Sequence, residues 1–261
     1  MSLRLSAVMN LVPPCRKLAD IGCDHAYVSI ELVRNGTAEA CVASDVREGP
    51  LVHARKNVEA AGLSDKISVR LFPGAQGLKK GECDCLLISG MGGRLMTDML
   101  LSSADIVMSA DALVLEPQSD MFLVRRALRE LGFAIAEEDF VKDSGKYYQI
   151  ILALKKDERK NEEKLAHASE VIKRAFSHFN MDCMDDERII AACDKYGPVL
   201  LSRRNKLMHE FLLERKAHFD GILSDDSFVN SPLPKSQERL TFVRKEAADV
   251  DTALKFYEQA L

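Results

Sequence analysis

The chain has 261 residues, of which 47% are hydrophobic and 29% are charged, so it can bury a core and is neither collagen-like nor disordered. Its 36 basic and 40 acidic side chains give a net charge of −4, so the chain as a whole does not attract the phosphates of a nucleic acid. The seven cysteines form no CxxC pair, and no apolar run reaches the length of a membrane span or a signal peptide. We therefore expect a cytoplasmic protein of one or two domains, without a structural zinc site or a membrane segment.

Short apolar runs alternate with amphipathic segments over the first 155 residues. The runs with the character of buried strands are 17–21, 40–46, 66–72, 83–89 and 111–117. The helical segments are Tyr27–Asn35, Gly49–Ala61, Leu95–Ser102 and Met121–Leu131, three of them followed by a glycine that can end a helix. This alternation predicts an α/β fold in which helices cover both faces of a parallel sheet. The final runs 133–143 and 147–155 predict an antiparallel hairpin that closes the sheet.

The pattern changes at the charged stretch 155–164, beyond which strand-like runs are absent. Apolar residues at i, i+4 and i+7 predict a long helix from Pro198 to Leu223 and a second long helix after the proline-containing loop 231–237. Shorter helices are expected at Asn161–Phe179 and Asp185–Lys195. The chain is thus predicted to have an α/β domain, residues 1–155, and an all-helical domain, residues 156–261, built as a helical hairpin or coiled coil.

The loop after the first strand carries two carboxylates. Open α/β sheets bind ligands beyond the carboxyl ends of their strands, so this loop, 20–27, is a candidate site. Gly22 allows a tight turn, whereas Asp20 and Asp24 occupy positions at which a dinucleotide fold presents N–H groups to phosphate. This favours a cationic ligand over a pyrophosphate. The alternative is that Gly22 serves only a strand-to-helix turn.

The later loops add features of a nucleoside site. Asp45 ends the second strand 23 positions after Gly22, near the offset of an acidic residue that binds ribose hydroxyls, although it could simply cap the next helix. The loops 72–78 and 89–95 are glycine-rich, and the second lacks the Lys-Ser/Thr of a P-loop, which disfavours NTP hydrolysis. A nucleoside with a positive centre, S-adenosylmethionine, fits these loops together.

These motifs resemble a known family, the bacterial tRNA (adenine(22)-N1)-methyltransferases, or TrmK-like proteins. The matching segments are LRLSAV (3–8), GCDHAY (22–27), ISGMGG (88–93), LEPQ (115–118), GKYYQ (145–149) and YGPVLL (196–201). The resemblance covers most of the chain and implies a Rossmann-like class I methyltransferase sheet, S-adenosylmethionine as cofactor and N1 of adenine 22 in tRNA as the methylated atom. Two departures are Ala75-Gln76 where the family usually has Gly-Asp, and Glu116 and Gln118 where it has Gln and Asn.

The motifs and the resemblance together predict the site residues. Residues expected to bind the cofactor are Asp20, Gly22, Cys23, Asp24, His25, Asp45, Val46, Gly74, Ala75, Gln76, Gly90, Met91 and Gly92. Asp24 is the candidate to stabilise the methylated adenine and Tyr27 the candidate to contact the base, although Asp24 could instead order its loop by accepting backbone N–H bonds. No metal ion is expected.

We expect tRNA to be the partner of a monomeric protein. The long C-terminal helices carry the basic residues Arg203, Arg204, Lys206, Arg215, Lys216, Arg239, Arg244 and Lys245, which predicts an RNA-binding appendage unless these are ordinary solvated charges. Lys146 and Tyr147 at the hairpin tip could also reach RNA. Three alternatives stay open: a methyltransferase with another RNA or small-molecule substrate, a dehydrogenase, and a non-catalytic RNA-binding factor. The dehydrogenase is disfavoured because Asp24 and Tyr27 stand where GxGxxG requires glycine.

Overall fold

A computed structural model describes residues 2–156, 161–177, 186–230 and 233–258. The chain forms two compact units, Met1–Ala168 and Ser169–Leu261. The division falls inside helix α7, Glu162–Ser177, whereas the sequence places the domain boundary at residue 155. None of the helices in the described parts of the chain is long and apolar enough to cross a membrane.

The first unit contains a seven-stranded mixed sheet of order β3-β2-β1-β4-β5-β7-β6. Its strands are β1 Cys15–Ile21, β2 Ala38–Asp45, β3 Ile67–Leu71, β4 Cys85–Met91, β5 Ala112–Pro117, β6 Phe133–Asp143 and β7 Lys146–Lys155. Strands β1 to β5 pair in parallel, while β7 pairs antiparallel with both β5 and β6. The predicted Rossmann-like sheet is therefore confirmed, as is its closing hairpin.

The helices of the first unit follow strands of the sheet along the chain, with one exception. They are α1 Leu3–Leu11, α2 Tyr27–Arg34, α3 Glu48–Ala60, α4 Gly93–Ser102, α5 Ala104–Val107 and α6 Met121–Glu130. The exception is α1, which precedes the sheet and packs near the β6–β7 hairpin. The side chain of Ser2 caps α1 by accepting a hydrogen bond from the backbone N–H of Leu5.

Two apolar clusters cover the two faces of the sheet. Leu18, Leu87 and Val114 belong to one cluster, whereas their chain neighbours Ala19, Leu86 and Leu113 belong to the other. Because successive side chains of a strand point to opposite faces, a strand buried on both faces must be apolar at every position. This is why the strands read as continuous apolar runs in the sequence.

The connections reverse direction between β1 and β4. The chain proceeds from β1 outward through β2 to β3 and then returns to β4 on the other side of β1. The loops after β1 and β4 therefore leave the carboxyl edge of the sheet in opposite directions, which opens a crevice at this point.

A buried ion pair fixes helix α6 to the hairpin. The guanidinium of Arg125 on α6 is fully buried, and its Nε and Nη2 donate to Oε1 of Glu138 on β6 at 2.9 and 2.6 Å. Nη2 also donates to Oε1 of Gln149 on β7 at 2.8 Å. One guanidinium thus joins both hairpin strands to a helix.

The second unit is helical. Beyond α7 its helices are α8 Asp186–Tyr196, α9 Pro198–Ser202, α10 Lys206–Leu223, α11 Asp226–Val229 and α12 Pro234–Glu258. The prediction of one continuous helix over 198–223 is wrong. Arg204 adopts a left-handed backbone conformation, and the side chain of Asn205 caps a new helix by accepting from the N–H of Met208 at 2.9 Å.

Helices α10 and α12 pack antiparallel. The hydroxyl of Tyr257, near the end of α12, donates to the carbonyl of Asn205 at the start of α10, while Lys216 near the middle of α10 pairs with Asp251 at 2.7 Å. Apolar side chains of both helices, including Leu212 and Val250, are buried. This packing agrees with the helical hairpin predicted from the sequence.

Candidate functional site

A cavity of about 580 Å³ opens at the carboxyl edge of the sheet, in the crevice beside β1 and β4. Most of the site residues predicted from the sequence line it. These are Asp20, Gly22, Cys23, Asp24, His25, Tyr27, Asp45, Val46, Gly74, Gly90 and Met91. The loops after four strands therefore meet at one cavity, large enough for a nucleoside-sized ligand.

The loop after β1 is held against β2 by its backbone. The N–H groups of Gly22 and Cys23 both donate to the carbonyl of Ser44, at 2.8 and 2.9 Å. Gly22 has φ 81°, which glycine adopts at low cost, and a Cβ there would lie 2.4 Å from the side chain of Met91. Asp24 and Ala26 also have positive φ, at about 1–2 kcal/mol each for a residue other than glycine. The backbone thus accepts strain to bring this loop to the cavity.

Asp20 is a buried carboxylate in the cavity wall. It is 5% exposed, and its Oδ2 accepts a hydrogen bond from the hydroxyl of Ser29 on α2 at 2.6 Å. Burial raises the pKa of Asp20 to about 6, and the nearby charge of Asp45 acts in the same direction. A cation bound beside these two carboxylates would relieve the repulsion between them.

Asp45 presents an oxygen to the cavity. Its Oδ1 accepts from the backbone N–H of Arg47 at 2.9 Å, and Arg47 is the N-cap residue of α3, so Asp45 does not cap that helix. Its Oδ2 accepts no hydrogen bond from the described residues. An acceptor oxygen at the end of β2 is available for hydroxyl donors, as the offset from Gly22 predicts.

Three of the predicted cofactor residues do not line this cavity. Ala75 is 1% exposed and packs in the apolar cluster, Gln76 is exposed to solvent, and Gly92 is the N-cap residue of α4. In the third loop Phe72, Pro73 and Gly74 form the wall instead. The third loop therefore lines the cavity through residues other than Ala75 and Gln76, because the local turn decides which of its residues face the cavity.

The glycines of the fourth loop have different roles. Gly90 has φ 80° and lines the cavity, as the sequence suggests. Gly93 lies inside α4, where a Cβ would be 2.1 Å from the carbonyl oxygen of Ser119. One glycine therefore shapes the ligand site, and the other allows the helix to pack tightly against the loop after β5.

Glu116 holds the fourth loop from behind. Its fully buried Oε2 accepts from the backbone N–H of Gly90 at 2.8 Å, the hydroxyl of Ser89 at 2.7 Å and Nη1 of Arg4 at 3.2 Å. Burial raises the pKa of the Glu116 carboxyl, while these donors and the Arg4 charge oppose the shift. Arg4 and its neighbour Leu5 line the cavity, a role for α1 that no motif signalled as chemistry.

Asp24 and Tyr27 lie at the open rim. Their side chains are largely exposed, and Asp24 Oδ1 is 3.7 Å from Nε2 of His25. The alternative that Asp24 orders its loop through backbone N–H bonds finds no such donor among the described residues. His25 contacts the rings of Tyr27 and His53, and its carbonyl accepts from Asn57, which anchors the loop to α3.

Comparison with known proteins assigns the first unit to a family. A family model described as a methyltransferase domain matches residues 1–151. The tRNA (adenine(22)-N(1))-methyltransferase of Bacillus subtilis is 35% identical over 153 residues, which cover 59% of this chain and 64% of that relative. The alignment thus spans slightly less than two thirds of the curated relative.

Solved structures extend the likeness over the whole chain. The crystal structure of the B. subtilis m1A22 tRNA methyltransferase TrmK is 25% identical with a TM-score of 0.77, over 97% of this chain and 98% of that one. A Streptococcus pneumoniae protein, a putative tRNA (m1A22) methyltransferase in complex with S-adenosyl-L-methionine, is 25% identical with a TM-score of 0.74, over 97% and 99% of the two chains.

Proposed function

The chain belongs to the methyltransferase domain family. We propose that it is a TrmK-like member that transfers a methyl group from S-adenosylmethionine to N1 of adenine 22 in tRNA. The observation that carries this proposal is the cavity at the reversal point of the sheet, with Asp20 and Asp45 in its wall. Membership of the methyltransferase domain family argues against a dehydrogenase. The S-adenosyl-L-methionine bound in the similar Streptococcus pneumoniae structure argues against a non-catalytic factor.

The cavity wall fits S-adenosylmethionine chemically. Asp45 Oδ2 is free to accept hydrogen bonds from the two ribose hydroxyls, and the backbone and side chains of Phe72, Pro73 and Gly74 offer a surface for the adenine. Asp20 places negative charge where the methionine part brings a positive ammonium and sulfonium. When bound, S-adenosylmethionine supplies an electrophilic methyl group, so neither a metal ion nor a strong base is required for the attack.

The residues at the rim act on the adenine. N1 of a paired adenine is blocked, so the base must be unpaired or extruded before it enters the cavity. Tyr27, 59% exposed, gives the base an aromatic surface beside the loop after β1. The carboxylate of Asp24 stabilises the positive charge that the adenine acquires on methylation. The chain's contribution is then mainly the orientation of the base toward the methyl group.

A nucleoside analysis tests the proposed function. tRNA lacking the modification is incubated with the protein and methyl-labelled S-adenosylmethionine, digested to nucleosides and examined by mass spectrometry. Labelled 1-methyladenosine that disappears when adenine 22 is replaced is the expected product. Label in another nucleoside, or in N1-methyladenosine at another position, would show that the substrate assignment is wrong although the chain is a methyltransferase.

Cofactor affinity should depend on pH through Asp20. Because the pKa of this carboxyl is about 6 in the free protein and a cationic ligand favours its ionised form, affinity should be constant well above pH 6 and fall as the pH drops below 6, by at most tenfold per pH unit. Titration calorimetry between pH 5 and 8 measures this. An Asp20→Asn variant should bind more weakly at pH 8 and lose the pH dependence; an unaltered profile in that variant would rule out Asp20.

Asp24→Asn and Tyr27→Ala should impair methyl transfer without unfolding the protein. Asparagine tolerates the left-handed backbone of Asp24, and the Tyr27 side chain is mostly exposed, so the melting temperature should stay within about 2 °C. We expect turnover to fall about 10- to 100-fold while the dissociation constant for S-adenosylmethionine changes less than threefold. Equal losses of cofactor affinity and turnover would instead assign both residues to the cofactor site.

We propose that the C-terminal unit binds tRNA. The surface that supports this proposal has fewer basic residues than the eight predicted from the sequence. Arg215 and Lys216 lie near carboxylates of α12, so they are partly neutralised. The exposed side chains of α12 form a stripe at i, i+4, i+7 and i+10: Lys235, Arg239, Phe242 and Lys245. Cations around an aromatic ring can contact phosphates and stack on a base.

Replacing Arg239 and Lys245 with alanine in the full chain should weaken tRNA binding most at low salt. Each lost phosphate contact should reduce the slope of log affinity against log salt by about 0.9. Filter binding at several salt concentrations measures the slope, with Lys216→Ala as a control because Lys216 already pairs with Asp251. If the double variant and the control gave the same slope as the unaltered chain, the helices would be scaffolding.

Three further properties belong to the proposal. The protein acts as a monomer, because helices α10 and α12 of one chain bury each other's apolar faces. It acts in the cytoplasm on its tRNA partner. It acts without a metal ion, because the sulfonium needs no further activation.

A further inference from the structure

The charges of the cavity wall are divided between its two sides. Asp20 and Asp45 come from β1 and β2, and Arg47 lies beside Asp45 with an Nε to Oδ1 distance of 3.6 Å. Arg4 lies on the other side, where it contacts Glu116 of β5 and Tyr148 of β7. Since β2 and β5 are three strands apart in the sheet and neighbouring strands are about 4.8 Å apart, these sides are separated by roughly 14 Å.

Arg4 is held in place by contacts with three strands, β5, β6 and β7. Nη1 donates to Oε2 of Glu116, and the Tyr148 ring lies 5.4 Å from the guanidinium carbon. The backbone N–H of Arg4 donates to Oδ2 of Asp143 at 3.1 Å, which fixes the start of α1 on the hairpin. A side chain restrained at both ends loses little further freedom when a ligand binds.

Donor groups of Arg4 remain available at the cavity. Its Nε and Nη2 make no hydrogen bond with the described residues, and the Arg4 side chain is 25% exposed. A Cβ on Gly90 would lie 3.6 Å from Nη1 of Arg4 and 3.9 Å from the amide nitrogen of Gln118, so both side chains converge over this glycine. The arrangement suits a planar fork of N–H donors facing an anion.

We propose that Arg4 binds a phosphate of the target nucleotide and that Glu116 is the positioning residue that holds the guanidinium at that side of the cavity. The proposal rests on the proposed function. It follows from the division of charge: the acidic side accepts the cationic cofactor, and the basic side accepts the anionic nucleotide. Methyl donor and acceptor then enter the cavity from opposite ends and meet between β1 and β4.

Glu116 is suited to a positioning role because it is a buried carboxylate that also anchors the fourth loop. Ser89 and Gly90 donate to the same Oε2 as Arg4, whereas Oε1 is buried without a hydrogen-bond partner among the described residues. Because Ser89 and Gly90 also donate to Oε2, Glu116 does not fully neutralise the charge of Arg4. The guanidinium can therefore still attract a phosphate. The residue touches the nucleotide only through Arg4.

Steady-state kinetics with tRNA at several salt concentrations test the proposal in the full-length protein. Arg4→Ala should raise the KM for tRNA about 10- to 100-fold, the range for one charge-assisted hydrogen bond, and reduce the slope of log(1/KM) against log salt by about 0.7 to 0.9. The dissociation constant for S-adenosylmethionine should change less than twofold. Arg4→Lys, which keeps the charge, should preserve the salt slope and recover part of the KM.

The variant Arg4→Ala leaves Glu116 without its cation, so the double variant Arg4→Ala/Glu116→Gln is the version expected to fold well. It should show the same reduced slope. Arg34→Ala is the matched control, because Arg34 is exposed and paired with Glu31 at the end of α2 away from the cavity. Glu116→Gln alone should raise the KM for tRNA less than Arg4→Ala does.

An unchanged salt slope in the double variant overturns the proposal, even if the melting temperature or kcat falls, because a purely structural role would not release a phosphate contact. In that case methylation of tRNA by the unaltered protein still supports the proposed function. Absence of methyl transfer to tRNA by the unaltered protein would overturn both.

Discussion

Replacement of Asp45 with alanine should reduce affinity for S-adenosylmethionine by at least 100-fold. The carboxylate is 6% exposed and keeps Oδ2 free of hydrogen bonds from the described residues, so it can accept both ribose hydroxyls. Each charge-assisted hydrogen bond contributes roughly 1.5–3 kcal/mol, and loss of two exceeds the 1.4 kcal/mol of a tenfold change several times over. Titration calorimetry at pH 8 measures the effect directly.

Two variants make this test specific. Asp45→Asn keeps one acceptor oxygen without the charge and should fall between alanine and the native residue. Asp65→Ala removes an exposed carboxylate between α3 and β3 and should leave the affinity unchanged. If Asp45→Ala bound the cofactor as tightly as the native chain, the ribose assignment would be wrong and Asp45 would serve only the turn at Arg47.

Replacement of Arg125 with alanine should destabilise the first unit by about 3–5 kcal/mol. The change removes the guanidinium that bonds the fully buried carboxylate of Glu138 and the buried amide of Gln149, and removing one partner of a buried ion pair is costly. The same change opens a void between α6 and the hairpin. Urea denaturation followed by circular dichroism at pH 7 measures the free energy of unfolding.

A paired substitution separates charge from packing. Arg125→Met/Glu138→Leu removes both charges and fills much of the space, so it should be markedly more stable than Arg125→Ala. If the single and double variants were equally stable, loss of the Arg125–Glu138 ion pair would not be the cause of the destabilisation. Arg126→Ala, one residue along the helix on a more exposed position, should cost less than 1 kcal/mol.

Much of the first unit could be predicted because its signals are local. A strand covered on both faces must be apolar throughout, and glycine after a helix marks its end, so both are visible in a short window of sequence. Helix α1 and the break at Arg204 were missed for the opposite reason. Helix α1 is stabilised by contacts such as that of Arg4 with Asp143, and the break depends on a single left-handed residue before Asn205.

The same distinction applies to the cavity. Asp20 and Asp45 are the last polar residues of buried strands, so the rule that ligands bind at strand ends was enough to identify them. Arg4 and Phe72 are not polar residues at the end of a buried strand, so this rule does not identify them. They reach the cavity through packing between distant segments. In the third loop the residues that line the cavity are Phe72, Pro73 and Gly74, whereas the predicted residue Gln76 is exposed and does not line it.

The hydrogen bonds between α1 and later strands of the first unit affect the order in which the cavity is assembled during synthesis. Arg4 is bonded to Glu116 and Asp143, which are 112 and 139 residues further along the chain. At about 5–20 residues per second, the ribosome needs roughly 7–28 s after making α1 to deliver the last of these partners. Until then α1 lacks the strands β5, β6 and β7 on which most of it packs, so a nascent chain that already has β1 to β4 still lacks one wall of its cavity.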